Sequence, residues 1–234
     1  MINSSPSNWA RRQFRTNLFS TVLLGAMLTV GSVKTSAATV TVQELSTNPR
    51  RTVTIDVENF YYGGAYAGVV NLLVEDVATV GFCIDPFHFS SHNALEYEVI
   101  PLSEAPKAYN PFYSGEMGAA KAEKISKLWA MAYAPFASTI GNSAAAAIQI
   151  AIWEIVAGDD FTVVGSDYGA SLLLQQLASY TGEAAHLVAL SGPGQDYVVE
   201  RVPEAGATVL LLSMGLCAMG LLRRFRGNYS PSQK

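Results

Sequence analysis

"AAAAIQIAIWEI", Ala144 to Ile155, is the stretch on which the reading of this chain turns. It reads as the body of a helix, with Asn142 or Ser143 as the expected N-cap and Gly158 as the expected C-cap. The helix is apolar on every side except at Gln149 and Glu154, and a helix that is hydrophobic all round is a buried one. Burying an unpaired amide costs about 1–3 kcal/mol by mutational measures. Gln149 therefore needs hydrogen-bond partners or another chemical fate. Trp153 stands four residues on, beside Gln149 on the same face.

Outward from this helix, periodicity sorts the chain into two kinds of segment. In "EMGAAKAEKISKLWAMAYAPF" (Glu116–Phe136) the apolar residues Ile125, Leu128, Trp129, Ala132 and Phe136 recur at threes and fours, while Lys121, Lys124 and Lys127 take other faces. That spacing predicts an amphipathic helix, stopped by Pro135. "ASLLLQQLASYTG" (Ala170–Gly182) predicts a third helix. The first half is strand-like instead. "ATVTVQEL" and "RTVTIDVE" alternate around "STNPR", a turn-like break at Ser46–Arg50. "YYGGAYAGVVNLLVED" (Tyr61–Asp76), "VATVGFCID" (Val77–Asp85) and "LEYEVIPL" (Leu95–Leu102) follow as further strands, and "HLVAL" with "QDYVVERV" closes the segment in the same way. Strands, helices, strands is an α+β order. The expectation is an antiparallel β-sheet or sandwich-like half with a small helical subdomain.

Both ends read as addresses. Arg11, Arg12 and Arg15 precede the apolar run "LFSTVLLGAMLTVG" and the small residues "TSAA", the pattern of a secretory signal peptide over 1–38, cut near Ala37 or Ala38. "RRQF" with Lys34 matches the twin-arginine route in part, with ordinary Sec export as the alternative. At the other end an apolar stretch at about 205–222 precedes Arg223, Arg224 and Arg226. About 18 residues at 1.5 Å each is just enough for a transmembrane helix. The arginines stay cytoplasmic, which leaves the residues before Pro203 outside.

Between these ends lies one domain's worth of chain. Seven basic residues stand there against all 19 acidic ones, a net charge of −12. A surface so acidic excludes nucleic acid and anionic lipid as partners. Of the two cysteines, Cys217 falls in the tail helix, so Cys83 is alone and has no disulfide partner in the exported region. An odd cysteine in an oxidising compartment calls for a reason.

Two resemblances bear on that reason. Val202, Pro203 and Glu204, the apolar helix and the arginines Arg223 and Arg224 resemble the PEP-CTERM sorting signal of Gram-negative bacteria, with Ala205 where its commonest form has a second proline. "VPEAG" also lies close to the VPDSG-type variant. This resemblance implies recognition of the 202–234 tail by an exosortase-type membrane enzyme. It also implies a single-pass membrane intermediate on the way to the cell surface or extracellular matrix.

"FCID" (Phe82–Asp85) followed by "IQIAIW" (Ile148–Trp153) resembles the thioester domains of bacterial surface adhesins, which carry an aromatic-Cys-aliphatic strand and a Thr-Gln-x-Ala-Ile-Trp helix. Phe82, Ile84, Ala151, Ile152 and Trp153 match, and Ile148 stands where the family has Thr. The resemblance implies that residues 39–201 form a thioester-like domain in which Cys83 and Gln149 join with loss of ammonia. Asp85 and Glu154 neighbour the two motifs. Such a chain would attach once, covalently, to an amine or hydroxyl of a protein or glycan target, and would not be an enzyme. In the alternative, a structural envelope or exopolysaccharide-associated protein, the pair is a staple or stays unbonded.

Other constellations are weaker. His88 and His92 have i, i+4 spacing but follow Pro86 in an irregular loop with no third ligand near in sequence, so loop histidines are favoured over a metal site. Either could serve proton transfer at a thioester. Asp159-Asp160 reads as a solvated turn rather than a calcium site. A Cys-His hydrolase is disfavoured because Cys83 sits in an apolar strand. No phosphate loop, nucleophile elbow or zinc spacing is present, and no cofactor or metal is expected.

Overall fold

The computed structural model describes residues 37–58, 60–106 and 116–201. The expected signal peptide lies outside these residues except for Ala37 and Ala38, and the sorting motif with its transmembrane helix lies outside them entirely. Among the described residues no helix is long and apolar enough to cross a membrane.

The described residues are mixed α+β, with three α-helices and one antiparallel sheet of seven strands. In chain order the elements are β1 (Ala38–Val57), β2 (Tyr61–Val74), β3 (Val77–Cys83), β4 (Leu95–Pro101), α1 (Gly118–Leu128), α2 (Asn142–Ala157), β5 (Phe161–Val164), α3 (Ala170–Ala178), β6 (Leu187–Ser191) and β7 (Tyr197–Glu200). Neighbours run β2-β3-β7-β6-β4-β1-β5, and β1 also pairs with β2. That extra pairing closes six strands into a ring, so the β-half is one sheet curled on itself rather than two facing sheets. Closure removes the open edges that a flat sheet would expose.

The length of β1 makes the ring possible. Its first residues, Ala38–Val42, pair with β4, while Val42–Val57 pair with β2 and Thr54–Val57 with β5. The expected turn at "STNPR" is absent. The strand runs through it with register shifts between Glu44 and Ser46 and between Thr47 and Arg50. A proline cannot donate to a ladder, and Pro49 sits where the shift leaves no ladder bond to make. Gly68 lies opposite, paired with Arg50, and a Cβ there would strike the Pro49 carbonyl oxygen and the Arg50 Cα. Gly68→Ala is expected to cost about 1–3 kcal/mol through this forced shift, read as a lowered denaturant midpoint.

The ring carries buried side chains on both of its faces. Val42, Val70, Leu72, Tyr97, Leu190, Tyr197 and Val199 pack inside the ring. Their alternate neighbours, such as Val69, Phe82, Ile100, Ala189 and Val198, point outward into a larger core under the helices. Between β2 and β3 a two-residue turn holds Glu75 and Asp76 at φ of 49° and 62°, the primed geometry that matches strand twist.

Helix boundaries differ from the sequence expectation in detail. α1 ends at Leu128 and widens into one π turn, Trp129–Tyr133, before Pro135 in a short 3-10 turn. This packs Trp129 and Tyr133 edge-on to Phe82. The N-cap of α2 is Gly141, not Asn142 or Ser143; the Ser143 hydroxyl accepts from the Arg51 guanidinium instead. Gly158 caps the C-terminus at φ 66° as expected. β5 was not expected from the sequence. At four residues it has too short a pattern to stand out, and it exists because β1 offers it an edge.

Candidate functional site

Cys83 is the last residue of β3, and Gln149 is near the middle of α2. β2 pairs with β3 only as far as Gly81, while β7 continues along the other edge to Cys83. Beyond Gly81 the β2 side of β3 is open, and a buried N–H or C=O left there would go unpaired. The Gln149 carboxamide takes the place of the missing strand. Its Oε1 accepts from the Cys83 N–H at 2.9 Å, and its Nε2 donates to the Cys83 carbonyl at 2.7 Å. Gln149 is 1% exposed. The burial of an amide in an apolar helix thus has a physical reason: it completes the strand.

The sulfur is held separately. Trp153 Nε1 donates to Cys83 Sγ at 3.2 Å and the Asp85 N–H donates to it at 3.3 Å. Cys83 Sγ also lies 3.3 Å from the Asp85 carbonyl, to which a thiol donates. Burial pushes the thiol well above its ordinary value of 9.0, an effect only partly offset by the Trp153 hydrogen bond. In this state Cys83 is a protonated, shielded thiol. It is also the free cysteine among the described residues.

The chain just after Cys83 folds back on itself. Asp85 Oδ1 accepts from the Phe87 N–H at 3.0 Å, and Oδ2 meets His88 Nδ1 at 2.5 Å. Gln195, in the loop between β6 and β7, donates to the Asp85 carbonyl at 3.3 Å and to the His88 carbonyl at 3.1 Å. Asp196 reaches the same segment, accepting from the Ile84 N–H through its carbonyl. A cavity of about 430 Å³ opens over this arrangement, lined by Cys83, Trp153, His88 and Gln195 together with the rings of Phe60 and Phe89.

The expected site residues therefore divide. Cys83, Gln149, Trp153 and Asp85 come together. Phe82, Ile84 and Ile148 are buried and pack around them in the core. Glu154 does not join: it is half-buried and borders a different cavity beside α1 and α3, because one residue past Trp153 the helix has turned away. His92 bonds the Glu44 carbonyl through Nδ1, so the two histidines share no ligand geometry. Among the described residues no cluster of three or more His, Cys, Asp or Glu could hold a metal ion. Asp159 and Asp160 form an exposed 3-10 turn. Gln195 and the Asp85–His88 pair were not singled out as a unit; Gln195 lies 110 residues from Asp85, and no local pattern links them.

No family model and no curated protein matches this chain. Among solved structures, the N-terminal thioester domain of a surface protein from Clostridium perfringens is similar to it. That likeness spans 70% of this chain and 99% of the other, at 11% identity and a TM-score of 0.41. It is a loose likeness, and the chemistry below rests on this chain's own residues.

Proposed function

We propose that Cys83 and Gln149 form an internal thioester and that the chain is an exported surface or matrix protein that uses it for one covalent attachment. The observation that carries this reading is the Gln149 carboxamide seated on Cys83, whose sulfur already takes two N–H donors and which lines an open cavity together with Trp153. In forming the bond, Sγ attacks the Gln149 side-chain carbonyl carbon, the C–N bond breaks, and the thiol proton leaves with the nitrogen as ammonia. The product keeps the Cys83 N–H on Oε1, where it stabilises negative charge as the carbonyl goes tetrahedral. Trp153 Nε1–H and the Asp85 N–H stabilise the sulfur as leaving group. An arriving amine or hydroxyl then takes the acyl group from sulfur, and Cys83 returns as a thiol.

Export and sorting by an exosortase-type enzyme belong to the same reading, on the strength of the terminal motifs. A structural role without any bond has one observation in its favour: the Gln149 amide is already satisfied by the Cys83 backbone.

Intact mass separates the two. The exported chain should weigh about 17 Da less than its sequence, the mass of one ammonia. Methylamine should then add to Gln149 and release one titratable thiol. A mass deficit without methylamine uptake would leave a staple, and a full mass would leave a structural glutamine.

A further inference from the structure

Glu44 brings a carboxylate into the wall of the cavity of about 430 Å³. It stands two residues after Val42 on β1, so its side chain enters the ring on the same face as Val42. There it is 5% exposed, and its Oε2 accepts from the Tyr197 hydroxyl at 2.7 Å. Oε1 has no hydrogen-bond partner among the described residues. Nor is it sealed away, because among those residues the fully buried side-chain polar atom left without a partner is Trp129 Nε1. Oε1 therefore opens on the cavity that Glu44 lines. A carboxylate so deeply placed is costly unless donors reach it, and the fold supplies it with one.

The rest of the wall fixes what kind of donor belongs there. Arg50 lines the same cavity, donating to the Thr47 carbonyl at 2.9 Å and lying 3.9 Å from the centre of the Tyr66 ring. Its charge offsets that of Glu44, while His88 is matched by Asp85 and His92 is held on the Glu44 carbonyl. A bare cation would meet Arg50. An anion would meet Glu44, and before that the −12 charge of the exported region. The remaining wall is aromatic. Phe60 stands edge-on to Phe87 at 5.7 Å and Phe89 edge-on to Tyr61 at 5.6 Å, so each ring is braced by a second. Phe89 is nevertheless 73% exposed, a large apolar ring left in solvent.

We infer that this cavity is a binding site for a neutral carbohydrate, whose hydroxyls donate to Glu44 Oε1 and whose C–H face covers Phe60 and Phe89. A sugar ring is uncharged, rich in hydroxyl donors and apolar on one face, which is the combination this wall complements. The remaining N–H groups of Arg50 are donors for the sugar's oxygens. The volume lies within the about 300–1,000 Å³ of small-molecule sites, which pair aromatic lining with a few placed polar groups in the same way. Cys83 and Trp153 line the cavity too, so a bound sugar lies beside the thiol. This binding is reversible and stands with or without the thioester.

The experiment titrates the exported chain with glucose, galactose, mannose and N-acetylglucosamine, and with glucuronate and glucosamine as their charged counterparts. Trp153 in the wall reports occupancy through its fluorescence, and recovery of unchanged sugar on dilution separates this binding from covalent capture. At least one neutral sugar should bind with a Kd below about 10 mM, and the charged sugars about 10-fold more weakly or worse. Glu44→Gln keeps an acceptor for Tyr197 and removes the charge facing the ligand. It should weaken binding about 10-fold or more, as loss of a hydrogen bond to a charged group does. Phe89→Ala changes an exposed ring, leaves the fold intact and should weaken binding about 5-fold. No binding of any neutral sugar at about 10 mM overturns the proposal, as does tighter binding of a charged one or unchanged affinity in either folded variant. Should Glu44→Gln fail to fold, Phe89→Ala decides.

Discussion

Cys83→Ala is expected to abolish both the mass deficit and all nucleophile uptake while leaving the fold in place. The alanine keeps its backbone N–H and C=O on Gln149, since those bonds do not involve the side chain. Loss of the sulfur removes little volume, at a cost of about 1 kcal/mol, and takes the acceptor from the Trp153 Nε1–H and the Asp85 N–H, which adds about 1 kcal/mol or more for each donor left unpaired. The covalent link is a separate matter. It would close a loop between residues 66 apart. By the chain-entropy relation used for disulfides that is about 4 kcal/mol of stabilisation. A thermal midpoint about 10 °C or more below wild type, at about 2–4 °C per kcal/mol for a domain of this size, is thus expected if wild type carries the bond. A drop of only two or three degrees, together with a wild-type mass equal to that of its sequence, would mean that no bond had been there to lose.

Gln149→Ala should be worse, and for a reason independent of any thioester. It deprives the Cys83 N–H and C=O of their partners on the open side of β3, among buried residues of the core. Each buried backbone group left unpaired costs about 1–3 kcal/mol, and the vacated volume adds to that. Relative to Cys83→Ala, Gln149→Ala should be less stable by about 3 kcal/mol. Urea denaturation of the two variants side by side reads that difference, and the covalent term cancels because both lack it. Equal stability would show that Gln149 contributes no more than bulk. The comparison matters because it separates the two roles of one side chain: completing a strand and carrying an acyl group.

Much of this was legible in the residues. The all-apolar Ala144–Ile155 stretch could only be a buried helix, and its one internal amide had to meet something polar. Alternation in "RTVTIDVE" and "LEYEVIPL" marked strands that now bury Val53, Ile55, Tyr97 and Ile100. What misled was punctuation. "STNPR" has turn composition, but local propensity yielded to the pairing that β2 and β4 offer on either side of β1. Glu154, which the sequence left as either a polar neighbour of the site or the helix's exposed edge, lies about 100° round the helix from Trp153 and borders a different cavity.

The sequence by itself determined the class of fold, the burial of the central helix, and the isolation of one cysteine and one glutamine in apolar settings. These follow from periodicity and composition, which act over a few residues. Only the tertiary structure decided that the strands curl into a ring and that β2 leaves β3 at Gly81, so that the vacancy beside Cys83 is filled by a side chain from α2. It also decided that Gln195 braces the Asp85–His88 turn from 110 residues away. Those are contacts between elements distant in the chain, and no local pattern encodes which edge will lack a partner or which side chain will supply it.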